Sequence, residues 1–134
     1  MLPNIDALAY VNKAQEYKPG MAYMIEVFTT WCPPCRGMIP HLAELPTKYP
    51  NVYLVAVTEE EQDKVEAFAQ KIPPMKKYNV ACDAKGEVKA LREAEAPNMG
   101  TPGAFLFDKD GKLIWHGVPS SPECDEWLGK LNSA

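Results

Sequence analysis

The sequence predicts an α/β fold with a central mixed sheet, and three observations lead to this expectation. Two apolar runs, residues 22–29 and 52–58, are almost continuously hydrophobic, which is typical of strands covered on both faces. Apolar residues at helical spacing follow each run. Near the C-terminus, a strand, a turn over residues 108–111 and a returning strand predict a hairpin. Such alternation indicates a sheet flanked by helices.

The remaining elements follow from periodicity and from breaking residues. A first helix is predicted over residues 5–17, with Leu8 and Val11 facing inward and a Pro-Gly pair after it. A second helix is predicted over residues 34–48, because Pro34 suits a first helical turn, where no backbone N–H is needed. Further helices are predicted over residues 60–72, 87–94 and 122–131, and further strands over residues 78–82, 104–107 and 112–116.

Composition restricts the function classes. The 134 residues suit one domain, and 46% hydrophobic with 24% charged residues is ordinary for a globular protein. The net charge of -4 argues against nucleic-acid binding, which requires a basic surface. No run of 18 apolar residues is present, so no transmembrane segment is expected.

The cysteine pair Cys32 and Cys35 is the strongest chemical signal. It lies where a buried strand is predicted to pass into a helix, whose free N–H groups and partial positive charge favour a thiolate. Cysteines in this arrangement have pKa values of roughly 3.5 to 7.5, against about 8.5 for a free thiol. The spacing therefore predicts Cys32 as nucleophile in disulfide exchange and Cys35, one turn later, as the resolving thiol.

Other interpretations of the pair are weaker. A structural disulfide across two residues would close a very small loop and stabilise little. A zinc site needs two further ligands, and the sequence has no second pair at this spacing, so no metal site is predicted. Cys82 and Cys124 are expected to be buried core residues. His41 and His116 have no partner implied by spacing.

Residues 27–36, with the sequence VFTTWCPPCR, resemble the TlpA-like (TlpA/ResA) thiol–disulfide oxidoreductases of the thioredoxin superfamily. Residues 52–68 are similar to that family's middle segment, and residues 100–112 to its active-site proline and terminal hairpin. The resemblance covers residues 22–131. It implies a thioredoxin fold with an extra strand and helix inserted between Tyr78 and Pro97.

The resemblance also implies roles for residues outside the cysteine pair. Pro102 matches the family's cis-proline, so Thr101 would face the disulfide and influence the choice of partner. Glu26 lies in an apolar strand and matches the family's buried acid, which exchanges a proton with the resolving cysteine. Burial of that carboxyl should raise its pKa. The sequence departs from thioredoxin in one respect. It lacks the lysine that thioredoxin carries on the strand matching residues 52–57, so the charge of Glu26 must be compensated from elsewhere or not at all.

Trp31, Pro33 and Pro34 complete the predicted site. Trp31 is expected on the surface that docks clients, and the two prolines are expected to contact clients and to tune the pair's potential. No cofactor is implied, because the dithiol itself carries two electrons. The expected partners are protein disulfides or dithiols and an upstream thiol donor, with the chain acting as a monomer.

The function predicted from these residues is thiol–disulfide exchange, and the resemblance favours a reductant. Two alternatives are a peroxiredoxin-like peroxidase and a non-enzymatic copper or zinc carrier. Thr29 lies three residues before Cys32, as in peroxiredoxins, but Ile25 stands where that family has proline. The resemblance favours an extracytoplasmic location if a signal has been removed. The first ten residues do not resemble a signal, which otherwise favours the cytoplasm.

Overall fold

The computed structural model describes residues 3–134 and contains a six-stranded mixed sheet. The spatial order of the strands is β1-β4-β3-β2-β5-β6. The strands are β1 (Ala9–Asn12), β2 (Ala22–Val27), β3 (Val52–Thr58), β4 (Asn79–Cys82), β5 (Gly103–Phe107) and β6 (Leu113–Gly117). The helices are α1 (Pro33–Lys48), α2 (Gln62–Gln70), α3 (Glu87–Glu95) and α4 (Pro122–Ser133), with 3₁₀ turns at Ile5–Ala7 and Pro73–Lys77.

The centre of the sheet is parallel and its outer pairings are antiparallel. β3 runs parallel to both β2 and β4, whereas β5 lies antiparallel to β2 and to β6. Every residue of β2 and β3 is buried, which explains why both strands are nearly continuous apolar runs in the sequence. The α/β class, the mixed sheet and the inserted β4–α3 segment between Tyr78 and Pro97 are as predicted.

The sheet separates two apolar clusters. Because side chains alternate along a strand, Met24 and Phe28 of the β2 region face the cluster that contains Cys32 and Cys35. Tyr23 and Ile25 face the other cluster. Glu26 lies between Met24 and Phe28 in the same alternating series, so its side chain points to the same face of the sheet. The strand period therefore places a carboxyl on the side of the sheet where α1 begins.

The predicted helix over residues 5–17 is wrong. This segment forms the short 3₁₀ turn and then β1, which pairs antiparallel with β4. The Asn12 amide donates to the backbone carbonyls of Met75 and Tyr78 at 3.2 and 2.7 Å. The buried Asn79 side chain accepts hydrogen bonds from the next backbone N–H groups of the segment, those of Ala14 and Gln15. Pairing with β4 and these contacts with residues 75–79 outweigh a local helical preference.

Smaller differences concern element ends. α2 ends at Gln70 instead of continuing to residue 72, and a 3₁₀ turn with two prolines in its first positions follows at Pro73–Lys77. The other predicted bounds agree with the structure to within two residues. Within residues 3–134, none of the helices combines the length and apolar character needed to cross a bilayer.

Candidate active site

Cys32 is the N-cap of α1, directly before the first helical residue. Its Sγ accepts a hydrogen bond from the Cys35 backbone N–H at 3.3 Å, as a capping side chain does. The Thr101 hydroxyl donates to the same sulfur at 3.5 Å. Burial opposes ionisation of Cys32, but hydrogen bonds from Cys35 and Thr101 outweigh it and lower the pKa of this thiol. The strand-to-helix junction thus favours a thiolate at Cys32.

Cys35 lies in the first turn of α1 and is buried. Burial, reinforced by its hydrogen bond with Cys32, raises the pKa of the Cys35 thiol to about 12. Both thiols are free in the structure. Two adjacent sulfurs with opposite pKa shifts can divide attack and resolution between them.

Glu26 is 1% exposed, in the middle of β2. Its register partners are Ala56 on β3 and Ala104 on β5, so no polar side chain faces it from directly across the sheet. Within residues 3–134, neither carboxyl oxygen has a hydrogen-bond partner. Burial first, and the nearby Cys32 second, raise the pKa of Glu26 to about 8. Such a carboxyl can change protonation near neutral pH.

Glu26 and Cys35 line one small cavity beneath the start of α1. The cavity has a volume of about 10 Å³, which is near the minimum for one water molecule. Thr29, two residues after β2, and the side chains of Arg36 and Tyr78 are the other polar groups in its wall. The Glu26 carboxyl and the Cys35 thiol therefore border the same small space.

The Thr101–Pro102 peptide bond is cis, as the resemblance implied. The Cys32 thiol lies 3.5 Å from the backbone carbonyl of Thr101, to which it can donate a hydrogen bond. Thr101 and Pro102 also line an open groove of about 680 Å³, between the segment 95–103 and the end of β6 at residues 116–118.

Trp31, Pro33 and Pro34 all lie on the surface around Cys32. Trp31 is 71% exposed, the most exposed large apolar side chain in the described chain. Both prolines are exposed in the first turn of α1, where a missing N–H costs nothing. The structure therefore brings the eight predicted site residues to one region, with Glu26 and Cys35 inside and the others at or near the surface.

The comparisons with known proteins agree with this geometry. The model of the AhpC/TSA family matches residues 8–116. The chain belongs to the AhpC/TSA family. The thiol–disulfide oxidoreductase ResA of Bacillus thuringiensis subsp. konkukian is 31% identical over 136 aligned residues, which cover 96% of this chain and 75% of that protein. This AhpC/TSA-family chain is a thiol–disulfide oxidoreductase.

Solved structures support the thioredoxin-like fold of this AhpC/TSA-family protein. A thiol-disulfide isomerase from Corynebacterium glutamicum superposes with a TM-score of 0.75 at 21% identity, covering 100% of this chain and 97% of that chain. StoA from Bacillus subtilis superposes with a TM-score of 0.68 at 22% identity, covering 95% and 99%. The whole described sheet is therefore shared with known thioredoxin-like proteins.

Glu60 is a site-supporting residue that the sequence analysis missed. Its carboxylate accepts hydrogen bonds from the Thr30 N–H and hydroxyl, both at 2.7 Å, and from the Thr58 hydroxyl at 2.9 Å. Lys64 lies 3.0 Å from it. These bonds fix the loop two residues before Cys32 to the end of β3. Because parallel strands end at the same edge of a sheet, an acidic residue just after β3 was the available signal.

The other two cysteines lie in the core, as predicted. Cys82 and Cys124 are buried and free, and burial raises the pKa of both thiols. Within residues 3–134, no group of three or more His, Cys, Asp or Glu side chains is arranged to hold a metal ion.

Proposed function

We propose that this oxidoreductase reduces disulfides in client proteins, with Cys32 as nucleophile and Cys35 as resolving thiol. The single observation that carries the proposal is the opposite pKa shift of the two thiols. The pKa of Cys32, the N-cap residue of α1, is lowered, whereas burial raises the pKa of Cys35. The thiolate of Cys32 attacks one client sulfur and the other client sulfur leaves as a thiolate. Cys35 then attacks the Cys32 sulfur, the second client thiolate leaves, and a Cys32–Cys35 disulfide holds the two oxidised sulfurs.

The direction of electron flow is inferred from the limited support for the Cys32 thiolate. Strong oxidants of this chemistry are those whose reduced form is strongly stabilised. Here the Cys32 sulfur accepts hydrogen bonds from Cys35 N and Thr101 Oγ1 at 3.3 and 3.5 Å, while burial acts against the charge. Modest stabilisation of the dithiol favours a reductant. An upstream thiol donor would return the disulfide to the dithiol.

Glu26 is assigned the proton transfer that activates Cys35. With a pKa of about 12, Cys35 holds its proton at neutral pH, so it needs a base before it can attack the mixed disulfide. Glu26 lines the same cavity and has a pKa of about 8, so part of it is ionised at neutral pH. The Cys35 proton moves to the Glu26 carboxylate and later leaves to solvent.

Clients are proposed to bind across Cys32 as extended segments. The groove beside Thr101 and Pro102 would take one side of the segment, and the exposed Trp31 ring would pack against the other. Both thiols, the buried acid and the cis-proline come from one chain, which supports a monomer as the working unit.

The direction is tested by measuring the reduction potential of the Cys32–Cys35 pair in glutathione or dithiothreitol buffers. We expect a two-electron transition at about -270 mV or lower, as in thioredoxin. A Cys82→Ala/Cys124→Ala variant serves as control and should titrate at the same potential, because neither thiol lies in the site. A value near about -120 mV would identify a disulfide-forming oxidant instead. If no reversible transition occurred, peroxide consumption and metal binding would become the functions to measure.

Replacing Glu26 with glutamine should slow resolution of the mixed disulfide in a pH-dependent way. At pH 7 we expect a loss of roughly 10²-fold, within the usual range for general acid–base catalysis. The deficit should shrink as pH rises. In the variant, the fraction of Cys35 present as thiolate increases tenfold with each pH unit. In the wild type, the contribution of Glu26 stops increasing once its carboxyl is ionised, above its pKa of about 8. Stopped-flow measurements from pH 6 to 10 would show this.

Glu126→Gln, an exposed position on α4, is the matched control for Glu26→Gln and should behave as wild type. An equal deficit at every pH would indicate that Glu26 only maintains the shape of the site. No deficit at any pH would remove it from the mechanism.

A further inference from the structure

Glu26 and Cys35 line one cavity, and few of the residues around it have exposed surface. Ten residues line it, and seven of these are buried. The three that are exposed or partly exposed are Thr29, Arg36 and Phe68. These three side chains therefore form the part of the cavity wall that is nearest to solvent.

Two of these three side chains are in contact with each other. The Arg36 guanidinium of α1 lies over the Phe68 ring of α2, with its central carbon 5.2 Å from the ring centroid. That separation is within the range of a cation–π interaction. Phe68 is half-buried and packs against the same apolar cluster that contains both cysteines. The pair thus bridges α1 and α2 across the rim of the cavity.

We propose that Phe68, held by Arg36, is a lid that keeps water away from Glu26 and controls the exchange of its proton with solvent. The inference rests on the proposed role of Glu26 and adds the route by which the proton leaves. In each cycle the proton taken from Cys35 passes from the Glu26 carboxyl to water at the rim when the Phe68 ring moves aside. Phe68 and Arg36 are positioning residues in this scheme, because they act through Glu26 and not on the reacting sulfurs.

The charged and titratable groups around Glu26 are few and can be named. Cys35 and Arg36 of α1 and Tyr78, just before β4, line the cavity with it. Cys32, the cap of α1, acts on Glu26 through its charge, while burial first and Glu26 second raise the pKa of Tyr78. α2 contributes only the Phe68 ring to the cavity wall. Removing that ring therefore changes the hydration of Glu26 without removing a charge.

Phe68→Ala tests the lid on the reduced, full-length protein. An apolar cavity stays dry, but the polar side chains of Glu26, Cys35 and Thr29 would allow water to enter the enlarged space. Because burial is the main cause of the raised pKa, we expect the pKa of Glu26 to fall by about one unit or more. The measurement is the pH titration of the Glu26 carboxyl carbon by ¹³C NMR, with the signal assigned by its loss in Glu26→Gln.

Two variants keep this test specific. Phe68→Leu retains most of the apolar cover and should keep the Glu26 pKa near its wild-type value. Ile72→Ala removes a partly buried side chain from the same apolar cluster but not from the cavity wall, so it should leave the titration unchanged.

The lid proposal would be contradicted if Glu26 had its wild-type pKa in Phe68→Ala. It would also be contradicted if Phe68→Ala and Ile72→Ala shifted the pKa of Glu26 equally. These outcomes are distinguishable from failure of the proposed function. The role of Glu26 in exchange is decided by the rate of the Glu26→Gln variant, whereas the lid is decided by the titration alone.

Discussion

Replacing Cys32 with serine should abolish disulfide reduction, with a loss of roughly 10³-fold or more, the scale seen when a covalent nucleophile is removed. A serine hydroxyl keeps the size of the side chain and can still cap α1. It does not ionise near neutral pH, so the attacking anion is lost. Cys35 cannot substitute for it, because its pKa is raised to about 12 and it stays protonated near neutral pH. The measurement is the initial rate of reduction of a protein disulfide.

Cys124→Ala is the matched control for Cys32→Ser. It removes another buried thiol, on α4, and should leave the rate unchanged. The thermal unfolding midpoints of both variants should be recorded, so that a lost activity is not confused with a lost fold. Substantial activity in a folded Cys32→Ser protein would contradict the assignment of Cys32 as nucleophile.

Most of the fold was predictable because its signals are local. β2 and β3 are buried on both faces, and this burial leaves apolar runs that periodicity alone can recognise. α1 begins where Pro33 and Pro34 tolerate a missing N–H. The first helix was predicted wrongly because the structure of residues 9–12 depends on pairing with β4, some 70 positions further along the chain. No local pattern reports such a partner.

The features of the site also separate into those with local sequence signals and those that depend on contacts between distant residues. The spacing of Cys32 and Cys35 and the turn before α1 are local, so the nucleophile and the resolving thiol could be proposed from sequence. The closeness of Thr101 to the Cys32 sulfur depends on a contact across 69 positions, and only the family resemblance indicated it. Contacts between Phe68 and Arg36 and between Glu60 and Thr30 link separate elements through side chains, which periodicity does not encode.

Replacing Cys35 with serine should convert the enzyme into a trap for its clients. The Cys32 sulfur still accepts the hydrogen bond from the backbone N–H of residue 35 and can still attack, so the mixed disulfide forms at close to the normal rate. Its resolution should nearly stop, because a well-oriented intramolecular group acts at an effective molarity on the order of 10⁵ M or more, which external thiols cannot match. Non-reducing electrophoresis and intact mass of a one-to-one mixture should show the covalent complex.

Cys82→Ala provides the comparison for this trap, because it removes a buried thiol that lies outside the site. This variant should release its client as completely as wild type, and Cys32→Ser/Cys35→Ser should form no complex. If Cys35→Ser turned over clients at the full rate, a second thiol would have to resolve the intermediate. The buried Cys35 would then have a structural role only, and proton transfer from Cys35 to Glu26 would not be part of the catalytic cycle.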